Sequence, residues 1–123
     1  MSFWNRYYKY LYEEKGWERS AIKKSIDNTT DTLLNSIADP RKAVSEERRA
    51  MVVGYVQSGK TANYIGLINK ALDAGYKYII VLAGIHNNLR SQTQSRIDEE
   101  VLGYETDSAS KTEAKRTRLK KIK

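Results

Sequence analysis

The sequence predicts an α/β fold: N-terminal helices followed by the first strand-helix-strand unit of a parallel sheet. Three observations predict it. Apolar residues recur at helical spacing from Phe3 to Ile37. Two continuous apolar runs, residues 50–53 and 78–82, have the length and bulk of buried strands. Between them lie a glycine-bounded loop and a second helical pattern, the order of a right-handed crossover unit.

The elements follow in chain order. Phe3/Trp4, Tyr7/Tyr8 and Leu11/Tyr12 recur every four residues and line one side of a helix that Ser2 can cap and Gly16 ends. A second helix is predicted from about Trp17 to Ile37, with Ile22, Ile26, Thr30 and Leu33/Leu34 on one face. Asp39-Pro40 stops it, because a proline drives the residue before it out of helical geometry. Ala50-Met51-Val52-Val53 reads as the first strand. From Thr61 to Ala74, Ala62, Ile65, Leu67/Ile68 and Leu72 form an apolar helical face, and Gly75 is placed to end it. Tyr78-Ile79-Ile80-Val81-Leu82 reads as the second strand, and a polar helix is expected from Asn88 to Val101. The dense aromatics at the N-terminus suit either a base-stacking surface or ordinary packing against a neighbour.

Composition closes off several classes of function. The chain has 123 residues, 40% of them hydrophobic and 30% charged, which suits one folded core. It has no cysteine, so a disulfide framework and thiolate metal sites are excluded, and its one histidine, His86, argues against a histidine-based zinc site. No apolar run approaches the length that crosses a bilayer and the first residues lack a secretory signal, so a cytoplasmic location is expected, with no membrane partner. Net charge is +7, and 7 basic against 3 acidic side chains fall on the last 20 residues. That tail suits either a solvated end or contact with nucleic-acid phosphates.

One motif carries chemistry: Gly54-Tyr55-Val56-Gln57-Ser58-Gly59-Lys60-Thr61. Each fixed position of Gly-x-x-x-x-Gly-Lys-Ser/Thr has a mechanical reason. Gly54 and Gly59 let the backbone wrap so that successive amides, including those of Gln57 and Ser58, converge on phosphate oxygens. Lys60 brings a compact positive charge to the outer phosphates, and the Thr61 hydroxyl suits a Mg²⁺ bridging them. The helix that starts there directs its positive end at the same anion. The expected cofactors are ATP and Mg²⁺.

Around this motif, Val52 to Tyr64, then Asp73-Ala74-Gly75-Tyr76-Lys77 and Ile79 to Gln94, with the core Leu82-Ala83-Gly84-Ile85-His86-Asn87-Asn88-Leu89-Arg90, resemble one family. It is the Z-one-domain family of bacterial endonucleases, named by the letter Z and the numeral one, in its N-terminal ATPase part. The resemblance spans nearly half of the chain. It implies a RecA-like sheet akin to that of superfamily-two helicases, ATP-driven action on DNA, and a restriction or anti-phage role. In such motors leucine, then glutamine three residues later, follow the second strand near the nucleic-acid backbone; Leu89 and Gln92 have that spacing. By resemblance Asn87, Arg90 and Gln92 would face a DNA strand. The bland alternative is a capped helix with a polar exposed side, and His86 suits a loop residue better than a catalyst.

The same comparison shows what the sequence lacks. No acidic residue ends a later apolar strand, no second motor domain brings an arginine finger, and no nuclease carboxylate cluster stands out. The expectation is therefore a fragment that binds nucleotide and hydrolyses it poorly: residues 1–48 a helical segment, 49–103 a partial phosphate-loop domain, 104–123 a basic tail. Its partners would be nucleotide, DNA and the missing remainder of the motor or nuclease. A small phosphate-loop kinase would need a cluster of arginines over the nucleotide, and only Arg90 and Arg96 follow the loop before the tail. A nucleotide-independent nucleic-acid-binding or regulatory protein would use the tail and the aromatics instead.

Overall fold

Helix α1 (Phe3–Glu13) begins where the sequence predicts. The Ser2 hydroxyl accepts the Asn5 amide at 3.1 Å, and two further amides of the first turn find a distant partner. Phe3 N–H donates to Asp73 Oδ1 and Trp4 N–H to Asp73 Oδ2, both at 2.8 Å, so one carboxylate from the last turn of a later helix caps this one. A negative charge there also matches the positive end of the α1 dipole. The computed structural model describes residues 1–54 and 59–103.

Two compact units divide the chain at Ile79/Ile80. The first holds α1, α2 (Arg19–Ile22), a π-helical turn (Lys23–Asp27), α3 (Asn28–Ser36) and α4 (Lys60–Ala74). α2, the π turn and α3 run on as one rod, in agreement with the helix expected between Trp17 and Ile37. Thr30 helps the rod through its widened turn by donating its hydroxyl to the carbonyls of Ile26 (2.7 Å) and Asp27 (3.1 Å). α4 packs on α1, on α3 and on the π turn. The core between them is Tyr7, Tyr10, Leu11, Ile22, Ile26, Ala62, Ile65 and Ala71. Each large apolar side chain removed from water contributes about 1.5–3 kcal/mol.

Two local features let α4 sit close to its neighbours. Gly66 lies where the helices cross; a Cβ there would stand 3.0 Å from Ile26 Cγ2 and 3.3 Å from both Thr30 Cγ2 and Trp4 Cζ3. Lys70 enters the same interface as a cation. Its ammonium lies 2.5 Å from Asp27 Oδ1, 2.5 Å from Asp31 Oδ1 and 2.9 Å from the Asp27 carbonyl, with the Trp4 ring centroid 4.2 Å away. At the other end of the helix Gly75 takes the left-handed conformation that closes it, as expected (φ 101°), and the Tyr76 hydroxyl donates to the Ala38 carbonyl.

The second unit, as far as it is described, contains α5 (Asn87–Ile97) running into a π-helical turn (Asp98–Leu102). This agrees with the polar helix expected from Asn88 to Val101. Gln94 donates to Asp98 at 2.8 Å and Arg96 to Glu100 at 2.9 Å, pairs one helical turn apart.

The α/β expectation is corrected. Among the described residues every regular element is helical, and neither residues 50–53 nor residues 78–82 form a strand. The physical reason is burial. Parallel strands need neighbours to take their hydrogen bonds and layers to cover both faces. Here the apolar runs lie open, with Val53 82%, Ile80 83% and Leu82 92% exposed. The second run also straddles the boundary between the two units. The helices of the first unit complete a core without either run.

Candidate phosphate-loop site

The motif's carboxyl-terminal half is built by the start of α4. Gly59 occupies the residue before the helix in the left-handed region, φ 77°, where a side chain would cost about 1–2 kcal/mol. Being glycine, it brings no side chain to the first-turn amides, and no side chain caps this helix. Lys60 is the first helical residue, and its ammonium folds back to donate to the Gly54 carbonyl. That bond ties together the two glycines that bound the loop. Thr61 follows, half-buried in the first turn. Gln57 and Ser58 lie outside the described residues.

Asn63 holds the turn from below. Its backbone N–H (3.1 Å) and its side-chain Nδ2 (3.2 Å) both donate to the Gly59 carbonyl. Its Oδ1 is buried and has no hydrogen-bond partner among the described residues. On one flank, a cavity of about 230 Å³ is lined by Leu33, Val52, Lys60, Asn63, Tyr64 and Leu67. On another stands Trp17. Its Cη2 lies 3.9 Å from the point where a Cβ would project from Gly59. The sequence places Trp17 at the start of the second expected helix, and no spacing connects it with the loop. Asn63 was visible beside the motif, but its bonds to Gly59 were not.

A larger concavity of about 660 Å³ lies where α3 and α4 end and shares no residue with the loop. Asp39, Arg41, Lys42, Glu46, Arg48 and Tyr76 are on its wall. The Arg41 side chain and amide, both hydrogen-bonded to Asp39, hold that carboxyl below the usual range. Asp39 pairs with Arg41 and Glu46 with Arg48 across that wall.

The chemistry available at the loop is electrostatic. One ammonium, one hydroxyl and the positive end of a 15-residue helix converge on one short stretch. Among the described residues no three acidic or histidine side chains are grouped to hold a metal ion by themselves. A divalent cation would therefore rest on Thr61 together with the oxygens of a phosphate ligand. Asn87, Arg90 and Gln92 lie on α5 in the second unit, all exposed, and Arg90 donates to the Asn87 carboxamide oxygen. His86 sits at the residue before α5 and makes no side-chain cap there. No family model matches the chain, and no curated protein or solved structure matches it either.

Proposed function

We propose that this chain binds a magnesium–nucleoside triphosphate complex, ATP in the first instance, at the turn between Gly54 and Thr61. The observation that carries the reading is the Lys60 bond to the Gly54 carbonyl, made from the first residue of an uncapped helix behind a left-handed glycine. An ammonium has three donors. The bond to the Gly54 carbonyl places that charge beside the start of α4, where an anion resting on the first-turn amides would compete for it. Thr61 would supply the one protein oxygen to Mg²⁺.

Titration calorimetry with ATP and Mg²⁺ tests this. Binding weakened about tenfold or more in Lys60→Ala supports it, since a charge-assisted bond contributes about 1.5–3 kcal/mol. Equal affinity in the two proteins would refute it. The resemblance to a DNA-acting, helicase-like ATPase extends the proposal to DNA as partner, with Asn87, Arg90 and Gln92 on the exposed polar helix α5 as its contacts. That part is tested separately, by salt-dependent DNA binding in Arg90→Ala, whose affinity should fall. With no acidic residue assigned to the attacking water, turnover is expected to be slow.

A further inference from the structure

We propose that Trp17 is the surface on which the nucleobase stacks, so that the site selects a purine nucleotide over a bare polyphosphate. This rests on the phosphate-loop reading above and adds a residue to it. The connection after α1 carries the indole to the loop. The Trp17 amide donates to the Leu11 carbonyl at 3.0 Å, which folds the chain back over the end of α1. Leu11 is itself buried, so this anchor does not drift. α1 is in turn fixed to the first turn of α4, where the buried Tyr7 hydroxyl donates to the Ala62 carbonyl at 3.2 Å. Two bonds and a shared core therefore set the ring against Gly59, 3.9 Å from its missing Cβ position.

The ring has the right properties for the task. Trp17 is half-buried, which leaves part of its surface exposed, and its Cη2 is the atom that borders Gly59. A nucleotide whose phosphates rest at the start of α4 carries its base within reach of a ring that borders the same glycine. Every base offers a π face, and a purine offers the larger one, so stacking discriminates by area rather than by hydrogen bonding. Glycine at position 59 serves both roles: it takes the left-handed turn, and it brings no side chain between the ring and the ligand.

Inorganic tripolyphosphate and ATP, each with Mg²⁺, separate this inference from the reading beneath it. Trp17→Ala should weaken ATP binding roughly tenfold, the loss of one base–aromatic stack, and leave tripolyphosphate binding unchanged. Trp17→Phe, which keeps a ring, should regain most of the ATP affinity, and circular dichroism should show both variants as helical as the parent. Unchanged ATP binding in Trp17→Ala overturns the inference. So does an equal loss for both ligands, which marks Trp17 as packing only, or a failure of Trp17→Phe to regain affinity. If tripolyphosphate binds and Lys60→Ala abolishes that binding, the phosphate-loop reading stands whichever way Trp17 falls. If neither ligand binds the parent protein, both fall.

Discussion

Replacing Lys70 by methionine measures how firmly one enclosed charge holds the first unit together. The side chain is 7% exposed, and its ammonium meets Asp27 and Asp31 at 2.5 Å each and the Asp27 carbonyl at 2.9 Å. Methionine keeps the length and the apolar stem but removes the charge and all three donors. Deleting one partner of a buried pair costs about 3–5 kcal/mol, because the opposite charge stays behind uncompensated. Two details lower the figure here. Asp27 keeps Lys23 at 2.7 Å, and the Asp31 side chain is 54% exposed, so water takes over its solvation. A loss of about 2–3 kcal/mol is expected, which for a unit of this size lowers Tm by roughly 10–20 °C. Urea denaturation followed by far-ultraviolet circular dichroism gives the free energy. Asp27→Asn and the double variant complete a cycle in which the coupling should exceed about 1 kcal/mol. A loss below about 1 kcal/mol in Lys70→Met, with an unchanged denaturant slope, would refute the idea that this cation holds the helices in register.

Acid should weaken the same cluster. Burial raises the Asp27 carboxyl, but hydrogen bonds from Lys23 and Lys70 outweigh it and leave the group below its ordinary value. Its contribution is complete above about pH 4, the unfolded value, and is lost as pH falls through the lower folded one; a pH series of Tm should show a steeper acid decline in the parent than in Asp27→Asn. Asp73→Ala removes both distant acceptors at the start of α1 and should cost about 1–2 kcal/mol, with Asp73→Asn regaining part of it in the same urea titration. Gly66→Ala adds a methyl into gaps of 3.0–3.3 Å, and overpacking of about 1–3 kcal/mol should outweigh the gain of about 1 kcal/mol in helix propensity. A more stable Gly66→Ala protein would show that the crossing has room to spare.

The helices were legible because their signals are local. Ser2 ahead of a four-residue aromatic repeat, Gly59 before Lys60 and Gly75 after Ala74 fix ends that the structure reproduces to within a residue or two. The two expected strands failed for the opposite reason. An apolar run announces that it needs cover, but not whether the same chain provides it, and residues 78–82 all stay exposed, with only Ile79 and Val81 partly covered. The candidate site divides in the same way. Lys60, Thr61 and the paired glycines belong to one spacing rule, whereas Trp17 reaches Gly59 through the fold of the connection after α1, which no spacing encodes. Lys70 was hidden too: a charged residue on an apolar face reads as a surface position until Asp27 and Asp31 are brought opposite it.

The cap that Asp73 provides for α1 spans 70 residues of sequence, and that distance sets a schedule during synthesis. At about 5–20 residues per second, the aromatic face of the first helix is translated roughly 4–14 seconds before the carboxylate that completes it. Until α4 emerges, Tyr7, Tyr10 and Leu11 lack one of the helices that cover them. The nascent chain therefore passes through an interval of sticky, half-formed helix, and a slower-translated stretch before Asp73 would lengthen the demand on whatever shields it at the ribosome exit.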